Sequence, residues 1–111
     1  MLYTLENARG IKVSITPYGG IVTGICLPDE QSGHVDAVLG YKTVESYLRD
    51  THYLGAVIGR YCNRIGNARF VLDRDVYPLA ANSKPGQALI QLHGGPYGFN
   101  TKLWDATQVY I

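Results

Sequence analysis

The chain has 111 residues, of which 46% are hydrophobic, and its ten basic and nine acidic residues leave a net charge of +1. This length allows one domain at most, and the apolar fraction indicates a globular rather than a disordered chain. The balanced charge, without any run of basic residues, gives no electrostatic reason to expect a nucleic acid or an anionic membrane as a partner.

The cysteines and the first residues of the chain bear on its location. The start, "MLYTLENARG", lacks the basic start and long apolar run of a secretory signal. No apolar segment approaches the roughly 20 residues that a membrane helix requires. Cys26 and Cys62 are too few for a disulfide scaffold, and we expect both to be small buried hydrophobes in strands. A reducing cytoplasm is therefore the expected location.

The first half of the chain predicts short strands joined by turns. Alternation of apolar and polar residues predicts strands over 11–16 and 21–27, separated by the turn "TPYGG". The loop "PDEQSG" follows, with a solvent-facing His34 next to it, and "DAVLGY" predicts a third strand over 36–41. Residues 43–50 predict a helical turn or two. Its apolar face comprises Val44, Tyr47 and Leu48.

The second half continues the β pattern. An apolar run predicts a strand from residue 53 to the point where Asn63 and Arg64 follow it, and "DRD" predicts a hairpin between 70–72 and 76–79. "ALIQLHGG" brings a strand to His93. The final segment, 103–111, alternates as a strand and stops without a turn signal, so we expect an interrupted sequence. Together these elements predict a mainly antiparallel all-β protein.

Few residues carry recognisable chemistry. Phosphate-loop and nucleophile-elbow patterns do not occur, and the three histidines lack metal-binding spacing, so no metal is expected. His52 is expected to cap a helix end or to be exposed. Arg64 either pairs with a carboxylate or points into a cleft, and His93 is either a satisfied structural side chain or part of a site. With Asn63, they could offer fixed donors to a hydroxyl-rich ligand such as a sugar.

The order of several segments resembles the aldose 1-epimerase (galactose mutarotase) family. The segments are "ITPYGGIVTGICLPD", "YLGAVIGRYCNRIGNARFVLD" and "QLHGGPYGFNTKLWD". The resemblance implies an antiparallel β-sandwich, the galactose mutarotase-like supersandwich. It makes residues 1–111 the N-terminal part of a single domain that is incomplete in this chain. It also implies an isomerase that interconverts the α and β anomers of free hexoses, such as galactose and glucose, without a cofactor.

The resemblance assigns roles to three residues. Arg64 and His93 are expected to reach the sugar, His93 on the ring-oxygen side, and Asn63 is expected to belong to the same pocket. In the family, a glutamate base and a second histidine lie in later parts of the sequence, so this chain alone is expected to be inactive. Two departures stand out, Asn100 at a position that is usually acidic and "DRD" in place of an Asp-Gly turn.

Alternatives to the epimerase fragment stay open. One is a non-catalytic sugar-binding module, and another is a truncated product that folds only with a complementary chain. A hexose-phosphate epimerase is less favoured because the sequence shows no basic cluster. The expected partner is a monosaccharide hexose, with no nucleic acid or membrane. Self-association or a complementing chain could use open sheet edges.

Overall fold

The computed structural model describes residues 1–109, which fall into two compact units. The first unit contains Met1–Val57 and the segment that begins at Leu103, and the second contains Ile58–Lys102. All strand pairs in the described chain are antiparallel, and the helices are two short 3₁₀ helices. The prediction of a mainly antiparallel β protein is confirmed.

The first unit is built on one four-stranded sheet. Its strands are β1 (Tyr3–Glu6), β2 (Lys12–Thr16), β3 (Ile21–Asp29) and β4 (Gly33–Asp36), which pair in chain order. The strands predicted over 11–16 and 21–27 are confirmed as β2 and β3, with β3 extending two residues further. Period-two alternation of apolar and polar residues is typical of such strands. β1 was not predicted from the sequence, and all four of its residues are exposed.

The strand predicted over 36–41 is wrong in position, because the chain turns back earlier. β3 continues to Asp29, whose carboxylate accepts hydrogen bonds from the Ser32 N–H and hydroxyl, both at 2.7 Å. This loop sets Gly33 opposite Asp29, so that β4 runs over Gly33–Asp36. His34 is exposed as predicted, but it lies in β4.

The helical turn predicted over 43–50 is confirmed as a 3₁₀ helix over Val44–Arg49. Tyr47 is buried, its hydroxyl accepts a hydrogen bond from the Tyr41 N–H at 3.0 Å, and the two rings meet edge to face. Leu48 is 59% exposed, which contradicts its prediction for the apolar face. A 3₁₀ helix aligns residues three apart, so Val44 and Tyr47 share a face that Leu48 leaves.

The second unit contains two pairs of short strands. β5 (Arg64–Gly66) pairs with β8 (Ile90–Leu92), and β6 (Arg69–Leu72) pairs with β7 (Asp75–Pro78). A second 3₁₀ helix spans Phe99–Thr101. The predicted hairpin is confirmed. Its two turn residues, Asp73 and Arg74, both have positive φ, at 49° and 74°, as the tight turns of hairpins require.

The strand predicted from residue 53 up to Asn63 is wrong. Residues 53–63 lie outside regular strands. Tyr53 has a φ of 59°, which is incompatible with the extended backbone of a strand. A short apolar run fits a strand or a packed irregular segment equally well. Cys62 is exposed, which contradicts its predicted burial, and Cys26 in β3 is half-buried.

The strand predicted over 103–111 is also wrong for the residues that the structure describes. Leu103 forms an isolated bridge with Tyr18, and the Trp104 N–H donates to the Pro17 carbonyl at 2.9 Å. Residues 104–109 then run outside any strand. The end of this prediction, Tyr110 and Ile111, lies outside the described residues.

Little apolar surface is fully buried in residues 1–109. The buried apolar side chains there are Ile21, Tyr47 and Ala68. By contrast, the β6–β7 hairpin exposes large apolar side chains from both strands. These side chains are Phe70, Val71, Leu72, Val76 and Tyr77. The hairpin is therefore held by its turn and by cross-strand pairs such as the stacked rings of Phe70 and Tyr77, whose centroids lie 5.0 Å apart.

Candidate functional site

The three residues singled out from the sequence meet at one end of the β5–β8 pair. Arg64 opens β5 opposite Leu92, so the antiparallel register sets the preceding Asn63 against the following His93. The His93 N–H donates to the Asn63 carbonyl at 2.9 Å and extends the ladder by one bond. Residues 30 positions apart in the chain therefore become neighbours.

Hydrogen bonds join the side chains of this cluster. The main-chain N–H of Asn63 donates to Nδ1 of His93 at 3.0 Å. Nη1 of Arg64 donates to Oδ1 of the Asn63 side chain at 3.1 Å. Asn63 thus contacts the imidazole through its main chain and the guanidinium through its amide. Asn63 and Arg64 are exposed, and His93 is half-buried.

Unusual backbone conformations produce this arrangement. Asn63 and His93 have φ values of 62° and 53°, in the left-handed region that asparagine tolerates better than most residues. Gly94 follows with a φ of 91°, and a Cβ there would collide with the Gly59 carbonyl. Gly94 therefore lets the chain turn directly after His93 and pass close to another stretch of backbone.

Arg64 lacks the carboxylate partner of the salt-bridge alternative. In residues 1–109 the structure contains one ion pair, between Lys12 and Glu6 at 3.6 Å. For the described chain, the interpretation of Arg64 as half of a structural salt bridge is therefore wrong. Arg64 instead lines a cavity in the second unit.

That cavity has a volume of about 970 Å³. Arg60, Arg64 and Lys102 line it, no Asp or Glu does, and its aromatic walls include Tyr97 and Phe99. The Arg60 guanidinium lies over the Phe99 ring, 5.5 Å from its centroid, as a cation–π pair. Asn63 and His93 are not among the lining residues, so Arg64 is the member that the cluster and the cavity share.

Sequence reasoning missed part of this cavity. Arg60 is far in the sequence from Phe99 and Lys102, and none of the three was singled out. Fold topology gathers these residues with Arg64, so the basic residues that look scattered in the sequence are clustered here. The available signal was the closeness of Arg60 to Arg64 within "GRYCNR" and of Phe99 to the glycines after His93.

The other histidines belong to the first unit. His52 is exposed as predicted, and its N–H donates to the Asp50 carboxylate at 2.8 Å. Burial acts to raise the pKa of Asp50, but hydrogen bonds from the His52 N–H, the Tyr41 hydroxyl and the Leu54 N–H together hold this pKa below its ordinary value. Asp50 therefore anchors the chain after the first 3₁₀ helix.

Residues 1–109 also bear on metal binding, on membrane spanning and on the position of Asn100. Within that range, the structure contains no group of three or more His, Cys, Asp and Glu side chains that could hold a metal ion. None of the helices described there has the length and apolarity to cross a membrane. Oδ1 of Asn100, at the position expected to be acidic, is buried without a hydrogen-bond partner.

Comparison with known sequences matches the chain over nearly its whole length. The family model for aldose 1-epimerase matches residues 1–110. An aldose 1-epimerase of Escherichia coli is 37% identical over 104 residues, which cover 94% of this chain and 29% of that protein. A galactose mutarotase of Bos taurus is 40% identical over 94 residues, covering 85% of this chain and 26% of that protein.

Solved structures give the same result for the fold. A GalM/aldose epimerase homologue from C. elegans superposes with a TM-score of 0.85 at 27% identity, over 99% of this chain and 33% of that one. A galactose 1-epimerase from Lactobacillus acidophilus gives 0.74 at 25% identity, over 92% and 28%. The chain thus spans between about a quarter and a third of these proteins. The predicted fold class is confirmed, and the chain belongs to the aldose 1-epimerase family.

Proposed function

We propose that this chain forms the sugar-binding part of an aldose 1-epimerase and holds a free hexose such as galactose or glucose. The observation that supports it best is the hydrogen-bonded cluster of Asn63, Arg64 and His93, in a chain of this family. Exposed or half-buried donors on a rigid strand end, beside an aromatic cavity, suit a ligand that carries hydroxyl groups around an apolar ring.

The reaction explains what such a cluster contributes. Anomers interconvert when the anomeric hydroxyl loses a proton and the bond between the anomeric carbon and the ring oxygen breaks. The ring oxygen gains a proton, the new aldehyde rotates, and the same steps run backwards to close the ring. Arg64 brings a fixed positive charge that stabilises negative charge developing on oxygen, and His93 donates a hydrogen bond on the ring-oxygen side.

The catalytic base and the catalytic acid are both proposed to come from outside these 111 residues. The chain spans 29% of the E. coli relative, and the family resemblance puts a glutamate base and a second histidine in later segments. The chain alone is therefore proposed to bind sugar without catalysing its mutarotation. Catalysis would require the remainder of the fold to be supplied.

A phosphorylated hexose is a second candidate ligand. Arg60, Arg64 and Lys102 line one cavity, and no carboxylate lines it with them. Three cations without a counter-charge favour an anionic group through charge-assisted hydrogen bonds. This candidate places the phosphate in the cavity and keeps the sugar ring at the cluster.

The test is a titration of the isotope-labelled chain with galactose, followed by the amide resonances of Asn63, Arg64 and His93. We expect these resonances to shift, and Arg64→Ala to weaken binding about tenfold through loss of a charged donor. Arg69→Ala, which removes an exposed arginine of the same unit outside the cavity lining, is the matched control. Unchanged binding in Arg64→Ala would contradict the proposal.

Two further measurements separate the alternatives. Polarimetry on fresh α-galactose should show no acceleration above buffer by the chain alone, and a clear acceleration would mean that acid and base both lie within it. A parallel titration with galactose 6-phosphate tests the second candidate. Tighter binding that depends on Lys102 would favour the phosphorylated sugar, and equal binding would favour the free hexose.

A further inference from the structure

Both main-chain polar groups of Asn63 are engaged by one residue. The Asn63 N–H donates to Nδ1 of the His93 imidazole at 3.0 Å, and the Asn63 carbonyl accepts from the His93 N–H at 2.9 Å. The first bond fixes the ring and the second fixes the backbone that carries it. Neither bond uses the Asn63 side chain.

The direction of the first bond has a chemical consequence. A main-chain amide only donates, so Nδ1 must present a lone pair to it, and in a neutral imidazole the proton then lies on Nε2. The opposite tautomer would set the Nδ1 proton against the Asn63 N–H, with two donors facing each other. We infer that Asn63 is a positioning residue that locks His93 as the Nε2–H tautomer.

The inference defines whether the ring nitrogen of His93 that faces the sugar donates or accepts a hydrogen bond. This step rests on the proposed function. A neutral Nε2–H is a hydrogen-bond donor, so His93 would meet a sugar oxygen by donating to it and would not accept a proton from the anomeric hydroxyl. Asn63 acts only through His93 in this role. Its amide, which accepts from Arg64 at 3.1 Å, is a separate contribution.

The backbone of Asn63 explains which substitutions separate the two contributions. Its φ of 62° suits glycine as well as asparagine, so Asn63→Gly keeps the main-chain donor in place and removes only the amide that holds Arg64. A β-branched residue such as valine rarely adopts a backbone with positive φ. Asn63→Val therefore displaces the N–H from Nδ1 and removes the amide as well.

The experiment is nuclear magnetic resonance of the ¹⁵N-labelled chain at mildly alkaline pH. We expect the His93 ring to show the shifts of an Nε2–H tautomer, together with a scalar coupling across the hydrogen bond between the Asn63 amide nitrogen and Nδ1. The exposed His34 and His52 give internal references for histidine rings in contact with solvent. Asn63→Gly should keep the coupling and the tautomer, and Asn63→Val should lose the coupling.

Several results would overturn the inference. One is the finding that His93 is an Nδ1–H tautomer. Another is absence of the coupling in a wild-type chain that is folded, as judged by a spectrum that it shares with the Arg69→Ala control. A third is loss of the coupling in Asn63→Gly with the fold retained. Ring shifts of His93 that differ from those of His34 and His52, in a wild-type chain without the coupling to the Asn63 amide, would also count against the inference.

The same samples distinguish this inference from the proposed function. Galactose is added to each after the ring has been characterised. A wild-type chain with the coupling that fails to bind galactose would sink the sugar proposal, and the tautomer assignment would stand. A chain that binds galactose without the coupling would sink the positioning role alone.

Discussion

The two units reach their structures by different means. In the first unit, β2 and β3 follow period-two alternation, and the carboxylates of Asp29 and Asp50 close two loops by accepting hydrogen bonds from neighbouring N–H groups. In the second unit, the strands are short and the chain turns on left-handed residues. Apart from Tyr53, the non-glycine residues of this kind in the described chain lie there: Asn63, Asn67, Ala68, Asp73, Arg74 and His93.

The difference teaches where the backbone is under constraint. Left-handed backbone costs about 1–2 kcal/mol per ordinary residue, so it persists only where surrounding contacts demand it. Two of these residues, Asn63 and His93, belong to the candidate site itself. The central strands of the first unit, β2 and β3, are specified by their side-chain pattern, whereas the site of the second unit is specified by its main chain.

The largest test of this comparison is Gly94→Ala. Gly94 has a φ of 91°, and a Cβ added there would collide with the Gly59 carbonyl. We therefore expect a loss of roughly 3–5 kcal/mol in the free energy of unfolding. Gly33→Ala in the first unit is the matched control, because its φ is 80° but nothing lies within 4 Å of the new Cβ. It should cost only about 1–2 kcal/mol. Equal losses in urea denaturation would refute a close-approach role for Gly94.

The next test breaks an anchor of the first unit. Asp50→Asn weakens the hydrogen bonds from Tyr41, His52 and Leu54, and we expect a loss of about 1–2 kcal/mol, moderated by solvent screening. The folded-state pKa of Asp50 is lowered, so its contribution is present above its ordinary value of 3.8 and is lost as the pH falls below it.

Urea denaturation of wild type and Asp50→Asn, from neutral pH to below pH 3.8, tests the direction of the Asp50 pKa shift. The difference in stability between wild type and Asp50→Asn should be full near neutral pH and should shrink in acid. Glu30→Gln, at an exposed loop position of the same unit, is the control and should change little. A difference that grows as the pH falls would contradict the assigned direction of the pKa shift.

The smallest effect concerns the hairpin turn of the second unit. Arg74 has a φ of 74°, which glycine adopts without steric cost, so Arg74→Gly should stabilise the chain by about 0.5–1 kcal/mol. Arg69→Gly, at the first residue of β6, should destabilise it, because glycine has a low propensity for strands. Thermal unfolding of the two variants compares them directly. A loss of stability in Arg74→Gly would show that the Arg74 side chain contributes more than its backbone strain costs.

Local signals in the sequence were enough to predict some of the strands but not others. Alternation was enough for β2 and β3, and turn residues were enough for the β6–β7 hairpin, because these signals are local. The apolar run 53–62 gave a wrong strand, because apolarity alone does not report the turn at Tyr53. The alternation of the final segment also gave a wrong strand over the described residues 103–109, because the chain forms only an isolated bridge at Leu103 before it leaves the sheet pattern.

For the candidate site, the sequence indicated residues but not their connections. Asn63, Arg64 and His93 were singled out, and their roles in sugar binding stay predictions. The bond from the Asn63 N–H to Nδ1 depends on strand register and on two left-handed residues, and neither has a side-chain signature. The clustering of Arg60, Arg64 and Lys102 depends on the path of the whole second unit.

The exposed β6–β7 hairpin has a consequence for every solution experiment above. Successive strand residues point to opposite faces, so the Phe70–Tyr77 pair and the Val71–Val76 pair make the ribbon apolar on both sides. A ribbon of this kind favours association between copies as the protein concentration rises. Galactose titrations therefore belong at several protein concentrations, with sedimentation measured alongside, because self-association that is linked to binding would shift the apparent dissociation constant.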